Sequence, residues 1–423
     1  MEKHLLTSSM AENLIGSEII KLAWDINARI KDGHQIYNLT IGDYNPKIFP
    51  IPQDLTEYIK EAYDQHETNY PPGDGLPELK NEISRYVRER GKLDYSTNNI
   101  LVAGGSRPLI YAVYKTLLEP KDSVLYPVPS WNNNHYVHLS NCRGIEVETQ
   151  AENNFLPTVK ELKKYLPKAT LLALCSPLNP TGTCFSKKSL TAICKAVLQE
   201  NIKRKLKGKK ALYIMYDQIY WGLSVKNTKH YDPVSLFPQL ADYTIYIHGI
   251  SKLFAATGVR VGWAWGPLSI INKMKSVLGH IGAWAPRAEQ KATAKFMADD
   301  SKINTYLNWI NKEISLRLEG FYDGIQNMKS QGLPIDALQP QGAIYLTVLF
   351  DILGKKDPAG KEINSIADVS AFLLTYAKVA LVPFSAFGSK TKKPWYRLSI
   401  GTCSQNDVVN ILRSIENALR QLR

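Results

Sequence analysis

The stretch HGISKLFAATGVRVG, residues 248–262, carries two full charges, Lys252 and Arg260, among small and apolar neighbours. A lysine amine can condense with an aldehyde, and a guanidinium can grip a phosphate or carboxylate through two parallel N–H donors. Other short polar groups could act with them. Gly104, Gly105 and Ser106 open a helix-like run after the apolar segment ILVA. Ser130 and Trp131 follow VLYPVP, and Asn179 begins an NPTG tetrapeptide. Asp217 follows LYIMY, Tyr220 lies three positions on, and Ser251 directly precedes the lysine. Each has an ordinary alternative. Gly-Gly-Ser and NPTG also suit plain turns, Asp217 a helix N-cap, Trp131 a core position and Lys252 a solvated first turn.

Together these residues match, one for one, what pyridoxal phosphate requires. Its aldehyde needs an amine (Lys252), and its pyridinium nitrogen a carboxylate (Asp217). Its phosphate needs backbone N–H groups at a helix start (Gly105, Ser106) and a guanidinium (Arg260). Its ring needs an aromatic neighbour (Trp131), and its 3-hydroxyl needs neutral donors (Asn179, Tyr220).

Positioning such a set calls for a particular scaffold. Between about 99 and 266, short apolar or β-branched runs alternate with helical patterns: NILVAGG, SVLYPVP, GIEVETQ, ATLLALCSP, ALYIMYD, YTIYIHGI and RVGWAWG. That alternation predicts a mostly parallel sheet sandwiched by helices, an α/β large domain. The polar groups all fall at strand ends, where open α/β sheets bind ligands. Beyond about 303 come a long amphipathic helix, the strand-like GAIYLTVLFDI, VALVPF and WYRLSIG, and a last helix capped by Ser404, which predict a smaller α+β domain. The expected division is 46–302 for the large domain, with 1–45 and 303–423 forming the small one. One helix, GSEIIKLAWDINARIKDG, closed by Gly33, precedes the first strand-like segment.

Composition narrows the classes. At 423 residues, 44% hydrophobic and 22% charged, the chain reads as a globular protein of two or three domains. Its apolar runs fall well short of the roughly 20 residues of a membrane span. The amino-terminal residues show no signal-peptide pattern, so a cytoplasmic location is expected. Five cysteines without CxxC spacing argue against disulfides or a zinc site. The close pair His135 and His138 has no HExxH pattern, so no metal is expected. Net charge is +13, and its densest source, KRKLKGKK at 203–210, lacks the interleaved aromatics that nucleic-acid stacking needs. It reads as a solvated helix-to-strand connection, with no nucleic-acid or membrane partner.

At these residues the chain resembles the pyridoxal-phosphate aminotransferases of class I/II, with fold type I architecture. SKLFAATGVRVG is similar to that family's lysine signature, and NPTG and YDQIY to its asparagine and aspartate–tyrosine motifs. YPPGDGLPELK is similar to its tyrosine segment, NLTIGDYNP to its first strand and PWYRLSIG to its last motif. The resemblance implies a homodimer in which Tyr70 reaches the partner's phosphate. It also implies substrate binding by Arg397, with Gly42 and Asn179 alongside, and amino-group transfer from an α-amino acid to a 2-oxo acid. Lys252, Asp217 and Tyr220 are the implied catalytic residues. Gly249 departs from the family, which often has a phosphate-touching serine three positions before the lysine.

Two other readings stay open at this level. Lyases of the same fold, of the carbon–sulfur β-lyase or aminocyclopropane-carboxylate synthase type, use the same constellation. A regulator joining this domain to a DNA reader would need roughly 60 to 80 further residues, more than the first 40 supply. The donor is also open: Arg107 and Arg287 are candidate cations for an acidic side chain, whereas Trp284 would favour an apolar one.

Overall fold

The computed structural model describes residues 7–14, 16, 18–226 and 228–423. Residues 1–6 and 15 of the amino-terminal stretch, and Ser17 at the start of the first expected helix, lie outside the described residues. After a short β1 (Tyr37–Asn38), the seven expected runs become β2 (Ile100–Ala103), β3 (Ser123–Val128), β4 (Arg143–Glu148), β5 (Leu171–Cys175), β6 (Tyr213–Asp217), β7 (Thr244–Gly249) and β8 (Gly262–Trp265). They make one sheet in the order β2-β8-β7-β6-β5-β3-β4. Pairing is parallel from β7 across to β4, and β8 runs antiparallel to both β7 and β2.

Burial on both faces explains why these strands are apolar along their length. Leu171 and Ala173 point to the side covered by α2 (Ser106–Leu117), which contributes Leu109 and Val113. Leu172 and Leu174 point to the other side, against Leu190, Ile193 and Val197 of α4 (Lys187–Leu206). Two more helices border the sheet's ligand edge: α1 (Glu18–Lys31) and α3 (Asn133–Leu139).

A second sheet follows α5 (Asp300–Ser330), whose first turn is capped by Asp299. It is antiparallel, in the order β12-β13-β10-β9, from β9 (Ile335–Ala337), β10 (Tyr345–Phe350), β12 (Val382–Pro383) and β13 (Trp395–Ser399). VALVPF, expected as one strand, is divided: β11 (Val379–Ala380) pairs in parallel with β1, and β12 joins β13. The last helix, α6 (Gln405–Arg420), starts at Ser404 in a capping box with Asp407.

The basic run is exposed along its length except at Arg204. Lys203 to Leu206 form the last turn of α4, and Arg204 turns inward. Its Nη2 donates to the carbonyls of Leu166 and Ala169, both at 2.7 Å. One of the eight residues therefore ties α4 to the segment that leads into β5. No described helix is long and apolar enough to cross a membrane.

Candidate active site

The strand directions decide how the candidate residues meet. Because β8 runs against β7, its first residue lies at the edge where the parallel strands end. Gly262 pairs with Gly249 on one side and with Ala103 on the other. Arg260, just before β8, thus returns to the edge that Lys252 leaves, and the intervening residues form the connection. This accounts for an amine and a guanidinium close together in an otherwise uncharged stretch. A Cβ on Gly262 would lie 2.6 Å from the Gly105 carbonyl carbon, so only glycine lets these segments approach.

A cavity of about 720 Å³ opens at this edge. Ser106, Trp131, Asn179, Asp217, Tyr220 and Lys252 all line it. So do Ser251, Arg260, Gly42 and Arg397. The antiparallel sheet also reaches this edge, through Tyr345 of β10 and Arg397 of β13, and the segment after β1 adds Thr40 to Asp43 to the lining.

Lys252 occupies the short helical turn Ile250–Leu253 that follows β7. Its Nζ donates to the Gly42 carbonyl at 2.6 Å and lies 3.8 Å from an Asp43 carboxylate oxygen. Burial pushes the amine down to about 8, partly opposed by Asp43, with Arg397, Arg107 and Arg260 adding to the depression. A lysine so placed has a substantial neutral, nucleophilic fraction near neutral pH.

Asp217 ends β6, paired with Cys175 of β5 and Ile247 of β7. Burial raises its carboxyl to about 6, against a single backbone N–H from Ile219 at 3.0 Å. A carboxylate with so little compensation favours a cationic partner. Tyr220 is buried, and its hydroxyl shares a 2.6 Å hydrogen bond with that of Tyr345.

Arg260 holds a left-handed backbone, φ 61°, rare outside glycine. Its Nη1 donates to Thr257 O at 2.7 Å and its Nη2 to Gly104 O at 2.9 Å. Gly105, φ 95°, precedes α2, and a Cβ there would fall 2.1 Å from Arg260 Nη2. The guanidinium and the start of α2 thus share one cradle that any side chain at 105 would fill.

Arg397 lies in β13, paired with Thr347 and Val382, and is 1% exposed. Its Nη1 donates to Asn179 Oδ1 at 3.1 Å and its Nη2 to Thr40 O at 2.5 Å. Its Nε, although buried, has no hydrogen-bond partner. The guanidinium lies over the rings of Tyr345 and Phe387, at 4.6 and 5.0 Å.

Tyr70 is 81% exposed and does not line the cavity; its ring meets that of Trp284 edge-on at 5.3 Å. Trp284 is likewise absent from the lining. Arg287 is taken up by Glu67, at 2.6 Å, whereas Arg107 lines the cavity with its guanidinium 4.8 Å from the Trp131 ring centre. His138 Nε2 lies 2.7 Å from Met10 O, and no group of residues with metal-ligating potential occurs among those described.

Some residues at the site were not singled out from the sequence: Asp43 and Tyr345 line the cavity, and Tyr44 touches Lys252 without lining it. Tyr345 sits within GAIYLTV as one more apolar strand position. Asp43 and Tyr44 lie in NLTIGDYNP, where only Gly42 was marked. The Tyr44 hydroxyl donates to Lys252 O at 3.2 Å. Nothing in their local patterns distinguishes them, because contacts across more than 200 residues bring Asp43 and Tyr44 to the lysine.

The family of aminotransferase class I and II matches residues 34–415. An aspartate aminotransferase of Pyrococcus abyssi is 31% identical over 408 residues, 96% of each chain. A probable aspartate/prephenate aminotransferase of Rhizobium leguminosarum bv. phaseoli is 29% identical over 384 residues, 88% of each. Among solved structures, the aspartate aminotransferase of Rhizobium meliloti superposes with a TM-score of 0.90 at 26% identity, covering 99% of this chain and 100% of that one. The large and small sheets, the cavity at their junction and these similarities converge: the chain belongs to the class I and II aminotransferases and is an enzyme that transfers amino groups.

Proposed function

We propose that the cavity binds pyridoxal 5′-phosphate, with Lys252 holding the cofactor's aldehyde carbon, and moves an amino group from an α-amino acid to a 2-oxo acid. The observation that carries this reading is the pair of opposed environments in one cavity: a desolvated amine at Lys252 and an under-compensated carboxylate at Asp217. The Arg260 guanidinium, set against Gly105 at the start of α2, suits a phosphate by placing cationic N–H donors beside a helix N-terminus. Bound there, the cofactor supplies an electron sink for the carbanion left when a proton leaves the substrate's Cα.

This chain's own residues would do the rest. Asp217 would keep the ring nitrogen protonated, and Trp131 would cover the ring face. Asn179 and Tyr220 would hold the 3-oxygen, and Ser106 and Ser251 would add donors near the phosphate. Arg397 would take the substrate α-carboxylate in a two-pronged contact, with Gly42 alongside keeping the approach open. A Cβ at 42 would come within 2.8 Å of the Tyr345 hydroxyl and 3.4 Å of Arg397 Nη1. Once released, the Lys252 amine would carry the proton between Cα and the acceptor carbon.

The relatives' names make aspartate the first donor to assay. Borohydride treatment of the loaded protein, followed by peptide mass spectrometry, should place the phosphopyridoxyl adduct on Lys252. Lys252→Ala should lose turnover by about three orders of magnitude or more while still binding cofactor non-covalently. An adduct on another lysine, or a near wild-type rate in the variant, would refute the assignment. Ammonia and pyruvate released from cysteine-type donors without an oxo acid would instead indicate a lyase.

A further inference from the structure

Three guanidinium groups line the cavity, those of Arg107, Arg260 and Arg397. Under the proposed function two have anions: the phosphate for Arg260 and the substrate α-carboxylate for Arg397. Arg107 has none, and among the described residues it has neither an ion pair nor a hydrogen bond. It is the second residue of α2, exposed at the cavity mouth, with its guanidinium on the face of Trp131 at 4.8 Å. Stacking on an indole restrains a guanidinium while leaving its N–H edge available, so part of the ordering cost of binding is met in advance.

The charge is felt inside the cavity. After burial, Arg107 is the largest influence lowering the pKa of Arg260, and it also contributes to the depression at Lys252. Among the described residues, two carboxylates, Asp43 and Asp217, line the cavity with these four cationic side chains. An unpaired cation here is repelled by its neighbours unless the ligand supplies an anion. An α-amino acid held at its α-carboxylate and its amine has only its side chain left to provide one.

We propose that Arg107, steadied by Trp131, is the residue that reads the charge of the substrate's side chain and selects donors with a second carboxylate. This assignment rests on the proposed function. Arg287, the other arginine considered, is paired with Glu67 and does not line the cavity.

The test compares kcat/KM for aspartate and glutamate with that for their amide isosteres and for phenylalanine. Wild type, Arg107→Ala and Arg107→Lys would be assayed, and cofactor affinity measured separately by fluorescence titration. Wild type should prefer the acids. Arg107→Ala should lower kcat/KM for them by about tenfold to a hundredfold, chiefly through KM, and leave the neutral donors within about twofold. Arg107→Lys should recover part of the loss, and cofactor affinity should not change. An equal loss for all donors, a wild-type preference for neutral donors, or weakened cofactor binding would overturn the assignment. In the last case Arg107 would belong to the phosphate site. A wild-type protein that binds cofactor at Lys252 but turns over no donor would overturn both this assignment and the proposed function.

Discussion

At the scale of single residues, two carboxyl-related sites have testable energetics. Asp217 binds its proton more tightly folded than unfolded, since burial lifts it to about 6. Its contribution to stability is therefore fully present below about pH 4 and is lost as pH rises through about 6. In the cofactor-free protein, Asp217→Asn should raise the melting temperature at pH 7.5, by the equivalent of up to about 3 kcal/mol. The gain should shrink at pH 5, and an equal gain at both values would exclude burial of the charge as its source. Arg397 offers a fork whose guanidinium carbon lies over Tyr345, 4.6 Å from the ring centre. Arg397→Lys keeps the charge and loses the fork, so KM should rise by about tenfold or more for every α-amino acid. Steady-state kinetics with an unchanged KM would remove Arg397 from substrate binding.

At the scale of elements, the antiparallel β8 shapes the ligand edge as firmly as any parallel strand does. It returns the chain to the ligand edge with Arg260 in a left-handed conformation and presses Gly262 against Gly105. Strain of this kind persists where surrounding structure fixes it, commonly at functional sites. Gly105→Ala should therefore disturb the cradle twice, through its own positive φ and through collision with Arg260. We expect cofactor affinity to fall by about tenfold or more, on the basis of roughly 1 to 3 kcal/mol of local strain. Fluorescence titration reads this directly, and wild-type affinity in the variant would mean that the start of α2 does not meet the phosphate.

At the scale of the whole molecule, Tyr70 is the residue that one chain leaves unexplained. It is 81% exposed, packs on Trp284 and faces no part of its own cavity. We read it as serving a second copy's phosphate site, the role its segment resembles. Tyr70→Ala and Lys252→Ala chains should each be impaired alone. Co-refolded in equal amounts, they should recover up to about a quarter of wild-type activity, because half of all dimers would be mixed and each mixed dimer would carry one intact site of its two. No recovery, or full activity in a monomer by sedimentation, would contradict a shared site. The net charge of +13 has no role in this scheme, and Arg204 shows that part of it is structural.

The sequence by itself determined the seven strands of the large sheet, the long α5 and the cap at Ser404, and it singled out Lys252, Asp217, Asn179, Tyr220, Arg260 and Arg397, which the structure gathers around one cavity. Those features are local: apolar runs, capping residues and polar groups at strand ends are written in consecutive residues. Only the tertiary structure decided that β8 runs backwards, that VALVPF serves two sheets, that Arg204 turns inward, that Asp43 and Tyr44 meet the lysine and that Tyr345 meets Tyr220 and Arg397. It also separated Arg107 from Arg287, one lining the cavity and the other tied to Glu67. Strand direction and side-chain partners depend on which distant segments meet, and that is fixed by packing across hundreds of residues, which no window of sequence contains.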